Sequence, residues 1–163
     1  MLIEADKRTD EYAIKLTYSK DEESFYIPDN VHIIGTMNTA DRSLAMVDYA
    51  LRRRFAFINL KPEYKSKKFH SHLKDNGVPE TVAINIVNKM TELNEKIVNH
   101  YKQLGKGFAI GHSFFSSLPE DIEYNMKWYR SVIKTEIAPL LHEYWFDDEE
   151  KAKEEVDSLL RAA

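Results

Sequence analysis

Apolar residues recur along this chain in two rhythms, and the change between them falls near Pro62. Before it the apolar runs are short. Residues 12–16 alternate loosely between apolar and polar positions, and residues 24–27 form a second run after the polar stretch 19–23. Successive strand side chains point to opposite faces, so two such runs around a polar tip predict a hairpin. Pro28-Asp29-Asn30 breaks the chain, and residues 31–36 are a β-branched run short enough for a strand buried on both faces of a parallel sheet. Leu44, Val47 and Leu51 then recur at helical spacing, widened by Met46 and Ala50, with Thr39 or Asp41 as N-cap. Residues 55–60 read as a further strand, closed by Pro62. Strand, helix, strand is one crossover unit of a parallel sheet.

Beyond Pro62 the period is helical almost throughout. A first helix is predicted over residues 63–76, stopped by Gly77. Pro79 suits the first turn of a second, whose stripe is Val82, Ile86, Met90, Leu93, Ile97 and Tyr101. The glycine-rich residues 105–111 make a loop. A long segment carries Ile122, Met126, Tyr129, Ile133, Ile137, Leu140 and Tyr144, with Pro139 expected to kink or split it. A charged helix over 149–160 completes the reading. The expected fold class is therefore α/β and mostly α overall. Residues 1–62 form part of a parallel-sheet layer (hairpin, strand, helix, strand), and residues 63–163 form an all-helical subdomain.

Composition narrows the function classes. The 163 residues contain no cysteine, which excludes thiolate metal sites and cysteine nucleophiles. A formal net charge of -4 supplies no global field to draw the chain onto nucleic acid. No apolar run reaches the roughly 18–20 residues of a membrane span. Met1-Leu2-Ile3-Glu4 lacks a signal-peptide layout. The expected location is the cytoplasm, with no membrane partner. His70 and His72 form an H-x-H that lacks further ligands nearby, and the run 147–155 reads as a solvated face. The aromatics Phe114, Phe115, Trp128, Tyr129, Tyr144 and Trp145 read as helical core.

The densest chemistry lies in Gly35-Thr36-Met37-Asn38-Thr39-Ala40-Asp41-Arg42-Ser43 and the following Asp48-Tyr49-Ala50-Leu51-Arg52-Arg53-Arg54-Phe55. Open α/β sheets place ligands at the carboxyl ends of their strands, where Asn38 is the first polar side chain. Its neutral amide donates and accepts, so it can orient water against a phosphate without adding repulsive charge. The three guanidiniums further on match the charge spread over phosphoryl oxygens in a transition state. Blander roles stand beside these: Asn38 closing a turn, Asp41 capping a helix, the arginines complementing a helix C-terminus.

The run from Gly35 to Ser43 resembles the signature of McrB-type AAA+ GTPases, the motor subunits of methylcytosine-dependent restriction systems. The resemblance continues through residues 50–55, Leu104-Gly105-Lys106-Gly107-Phe108, Ile110-Gly111-His112-Ser113-Phe114-Phe115 and Ala138-Pro139-Leu140-Leu141-His142-Glu143-Tyr144. It implies that Asn38 is the first sensor, placing the attacking water. Asp41 and Arg42 would extend that sensor toward a neighbouring subunit. Arg53 and Arg54 match arginines that act in trans, with Arg52 the weaker member. Gly111-His112-Ser113 lies where AAA+ lids place a second sensor, but the arginine common there in other AAA+ proteins is missing. The resemblance also implies a ring, a hexamer, that uses GTP or ATP with Mg and works with a nuclease subunit, reaching DNA through other domains or the ring.

No G-x-x-x-x-G-K-[ST] occurs: Gly105-Lys106-Gly107 has neither the spacing nor the following Ser or Thr. In the family the P-loop and an acidic metal-binding strand lie N-terminal to this segment, and Met1-Leu2-Ile3-Glu4 looks like the stretch just after them. The chain is thus expected to be a C-terminal fragment of an NTP hydrolase, without metal or cofactor sites of its own and inactive alone. Two other readings remain: a AAA+ ATPase remodeller, or a helical interaction module without a nucleotide role.

Overall fold

A computed structural model describes residues 2–18, 24–38, 52–99 and 104–161. The chain divides into two compact units, Met1–Asn59 and Leu60–Ala163. In the first, two short 3-10 turns, Ala5–Lys7 and Asp10–Tyr12, precede strand β1, Ile14–Lys15. It pairs antiparallel with β2, Ser24–Phe25, in the register Ile14 to Phe25 and Lys15 to Ser24. This is the hairpin the alternation predicts.

The two runs expected as buried strands behave differently. Residues 31–36 and 55–60 take part in no ladder among the described residues. Val31, Ile33, Ile34, Phe57 and Ile58 are exposed. A strand buried on both faces exists only where neighbouring strands satisfy its N–H and C=O groups and elements cover its faces, and among the described residues neither is provided. The helix expected around Leu44–Leu51 lies outside the described residues. Arg52 is helical, and Arg53 and Arg54 form the turn that follows.

The second unit is helical. Helix α1, Lys67–Asp75, starts later than its apolar period suggests because Ser66 caps it, its hydroxyl accepting the Phe69 N–H at 3.1 Å. It ends in a Schellman arrangement: Val78 N–H bonds Leu73 C=O, Gly77 N–H bonds Lys74 C=O, and Gly77 sits at φ +84°. Helix α2, Glu80–Asn99, buries Val82, Ile86, Met90, Leu93 and Ile97 of the stripe read from the sequence, whose last member, Tyr101, lies outside the described residues.

The long segment forms α3, Met126–Val132, a π-helical turn, Ile133–Ile137, and α4, Ala138–Tyr144. Tyr129, Ile133, Ile137, Leu141 and Trp145 are all buried, at a constant spacing of four. Four-residue steps on an α-helix precess by about 40° each. The wider π turn takes up this drift and keeps the five on one face. Ala138 N–H accordingly reaches back to Ile133 C=O. Pro139, which lacks an N–H, follows immediately. The expected stripe member Leu140 is displaced by Leu141, because an extra residue in the turn rotates everything after it.

Helix α5, Glu149–Leu160, is capped by Asp148, which accepts the Lys151 N–H at 3.0 Å. Its charged first half is not wholly the solvated face expected. Glu155 is 3% exposed. Lys151 lies 2.7 Å and Lys96 of α2 lies 2.8 Å from its carboxylate oxygens. A buried carboxylate is tolerated only when paired, and this pairing joins α5 to α2. Lys89 of α2 adds a bond to the Ser158 carbonyl at 3.0 Å. Tyr129 donates to the Leu159 carbonyl at 3.0 Å, tying α3 to the end of α5. Among the described residues no helix is long and apolar enough to cross a membrane.

Burial opposes ionisation of Glu155, but the Lys151 and Lys96 ammoniums outweigh it and hold the carboxyl below its ordinary 4.5. A depressed folded-state pKa contributes stability above the unfolded value, and that stability is lost as pH falls through the folded one. Urea unfolding should therefore show Glu155→Gln less stable by about 2 kcal/mol at neutral pH, a buried-pair loss discounted because both lysines are over a third exposed. The deficit should shrink below pH 4.5. Tyr129 runs in the opposite sense: burial pushes its hydroxyl up to about 12, so its neutral form stabilises the fold up to the ordinary 10 and is lost above it. Spectrophotometric titration should find this phenol ionising only as the fold opens.

Candidate functional site

The residues expected to carry chemistry fall in both units. In the first, Asn38 is exposed, while Asp41 and Arg42 lie outside the described residues. Arg52 and Arg53 are exposed. Arg54 is not: its side chain is 18% accessible, and its Nε donates to Glu4 Oε1 at 2.6 Å while Nη2 closes on the same oxygen. Two donors of one planar fork are thus committed to one carboxylate, an arrangement only arginine can make. The Arg54 hydrogen bonds hold the Glu4 carboxyl below its usual range, with smaller help from the Lys7 ammonium at 3.6 Å.

Arg8 does related work. Its Nη1 donates to the Val31 carbonyl at 2.9 Å, and its Nε and Nη2 reach the Ile3 carbonyl at 3.4 and 3.3 Å. The start of the chain is thereby fastened to the run that leads to Asn38. Glu4 and Arg8 were not singled out by sequence pattern, since each is a lone charge whose partner is distant in sequence.

In the second unit, Gly111-His112-Ser113 begins a 3-10 turn, His112–Phe115. Ser113 is exposed, and Gly111 and His112 are half-buried. The Gly111 carbonyl accepts from the Tyr64 hydroxyl at 2.7 Å. His112 Nδ1 accepts the Glu63 N–H at 3.1 Å, and its ring lies edgewise to Phe69 and Tyr64, 5.4 and 6.1 Å between centroids. Just before the turn, Asn94 of α2 binds both backbone groups of Ile110, accepting its N–H at 2.7 Å and donating to its C=O at 2.9 Å. These contacts fix the loop's backbone from two sides. Burial raises the Tyr64 hydroxyl far above its ordinary 10, which keeps it a donor. A cleft of about 540 Å³ opens beside this region, with Pro62, Tyr64, Val98 and Ala109 in its wall and Lys61 and Lys106 at its edge.

The H-x-H pair is used structurally. His70 meets Glu80 at 3.1 Å and His72 Nε2 meets the Ser116 carbonyl at 2.9 Å. No group of side chains among the described residues could hold a metal ion. The expected aromatics do join the core: Phe115 stacks on Tyr129 at 5.9 Å, edgewise to Trp128.

Comparison with known proteins bears on both units. Residues 85–153 match the family described as McrB, alpha-helical lid domain. Over 162 residues the chain is 47% identical to the Type IV methyl-directed restriction enzyme EcoKMcrB subunit of Escherichia coli (strain K12), across 98% of this chain and 35% of that protein. This chain is therefore similar to McrB over part of its helical unit by family model, and over nearly its whole length by sequence identity. It spans about a third of the length of that relative. The McrB lid match takes in Asn94, the Gly111-His112-Ser113 turn, the π turn and the first half of α5, so the loop and the helices that hold it belong to one family element. The similarity to the McrB subunit extends over the Asn38 and arginine region as well.

The Arg54 and Glu4 pair makes a direct prediction for this chain. The Arg54 Nε–H should exchange slowly with solvent in NMR spectra at neutral pH. Glu4→Gln should speed that exchange about tenfold, because a charged acceptor becomes neutral. Unchanged exchange would mean that the pair does not persist in solution.

Proposed function

We propose that this chain is the sensor, arginine and lid portion of a McrB-type AAA+ motor in a methyl-directed restriction system. The complete motor hydrolyses GTP, or ATP, with Mg, assembles as a ring hexamer, and drives DNA translocation and cleavage with a nuclease subunit that does the cutting. The observation that carries this reading is the 47% identity to the McrB subunit over 162 residues, which takes in the Asn38 motif, the arginine run and the lid. Arg54 is bound to Glu4 within its own chain, while Arg53 beside it keeps an exposed side chain.

An arginine acting on a neighbour's phosphates must project from its own subunit, yet be anchored where it leaves the backbone. Arg53 is exposed and lies on the turn that Arg54 pins, which suits both demands. Arg54 could act in trans only by giving up Glu4, and Arg52 is the third candidate. Asn38 serves its own subunit by orienting water, since its amide can accept from the water and donate to a phosphate oxygen. Asp41 and Arg42 extend this toward the next subunit. Gly111-His112-Ser113 completes the nucleotide-facing set from the lid.

The residues present suit the nucleotide's phosphates, with neutral amide and guanidinium donors and no opposing carboxylate in the motif from Asn38 to Ser43 other than Asp41. The ligands of Mg are assigned, by the same resemblance, to the P-loop-bearing part of the motor. Bound Mg would neutralise charge on the phosphates. This chain's part is to place water and supply positive charge from the neighbouring subunit.

In the complete motor, Asn38→Ala and Arg53→Ala should each lower kcat by about 10³-fold or more with nucleotide binding and ring assembly retained. Mixing the two variants should restore part of the turnover, because an Asn38→Ala subunit still offers its arginine and an Arg53→Ala subunit its asparagine. The present chain alone should not hydrolyse GTP or ATP. Near-normal turnover by both variants would overturn these roles, and mixing without recovery would place Arg53 in its own subunit's site.

A further inference from the structure

We infer that His112 is a positioning residue, acting through Nδ1 as a neutral acceptor that locks the second-sensor loop to the segment with which the helical unit begins. This rests on the proposed motor reading for its functional consequence, but its geometry stands within the helical unit.

Two consecutive residues, Glu63 and Tyr64, are bonded to two consecutive residues of the loop. Glu63 gives its backbone N–H to His112 Nδ1 at 3.1 Å, and Tyr64 gives its hydroxyl to the Gly111 carbonyl at 2.7 Å. The leading segment has little freedom otherwise. Pro62 fixes its own φ just before it, and Ser66 caps α1 just after it. On the loop side, Ser116 Oγ donates to the His112 carbonyl at 2.9 Å, and Asn94 holds Ile110 by both backbone groups. The His112 ring is wedged edgewise against Phe69 and Tyr64, which restricts its rotation. The segment and the loop are therefore one rigid body, and a displacement of either is passed to the other.

The bond to Glu63 also sets the imidazole's chemistry. A backbone N–H can only donate, so Nδ1 must be unprotonated and the neutral ring carries its proton on Nε2. The loop that lacks an arginine thus holds an uncharged histidine in one tautomer. Its contribution to turnover is mechanical: it sets how nucleotide-driven movement at Gly111-His112-Ser113 reaches residues 63–64, without adding charge at the phosphates.

Substitution by amides separates this from a direct role. Asparagine places its carbonyl oxygen near the Nδ1 position, whereas glutamine reaches toward Nε2. In the present chain, long-range 1H–15N spectra should show His112 as the Nε2–H tautomer, and the Glu63 amide should be protected. His112→Ala and His112→Gln should speed Glu63 amide exchange about fivefold to tenfold, and His112→Asn should restore protection. In the complete motor, turnover should follow the same order, with His112→Asn recovering most of what His112→Ala loses. A Nδ1–H tautomer in the unmodified chain overturns the proposal even if every variant misfolds. Rescue by glutamine and not asparagine overturns it in favour of a direct Nε2 contact. If the amide data hold but the complete motor hydrolyses neither nucleotide, the clamp survives and the motor reading fails.

Discussion

The helical unit depends on one packing constraint: five large side chains at a strict spacing of four must share a face. Tyr129, Ile133, Ile137, Leu141 and Trp145 are each 2% exposed or less. Fully burying an aliphatic side chain of this size contributes about 1.5–3 kcal/mol, so losing two of the five to solvent would consume much of a typical domain's stability. A regular α-helix cannot keep them aligned, and the π turn at Ile133–Ile137 does. Helix α5 packs against that turn and against α4. The position of α5 in turn decides where Glu155 meets Lys96. The irregular turn is thus the element to which the apolar face and the polar clasp are both adjusted.

Polar groups then specify what the apolar core permits. Apolar contact alone would tolerate small slides of α5 along α2. The Glu155 carboxylate between Lys96 and Lys151 fixes an axial position, because a displaced carboxylate would be buried and unpaired. The two-sided grip of Asn94 on Ile110 and the bonds from Glu63 and Tyr64 do the same for the loop at Gly111. The segment that leads into the unit, the loop and α2 are held together by short hydrogen bonds. In the first unit, the Arg54 and Glu4 pair pins one member of a cationic cluster, and the adjacent Arg53 is exposed.

The sequence by itself determined the hairpin, the α2 stripe, the Gly77 stop, the Pro79 start and the limits of α5. Each follows from local rules of period, capping or φ that need no distant partner. It also carried the resemblance to McrB, because motifs such as the one around Asn38 are contiguous. Tertiary structure alone decided the rest. Leu141 replaced Leu140 on the buried face because the π turn's extra residue is invisible to a fixed helical period. Glu155 left the solvated face because its partner Lys96 is distant in sequence. Residues 31–36 and 55–60 carry strand-like composition without a ladder, since strands are made by their neighbours, and none pairs with them among the described residues. Which arginine is anchored, and which histidine nitrogen is occupied, turned on Glu4 and the Glu63 N–H. Neither leaves any mark on the local pattern around the residue it controls.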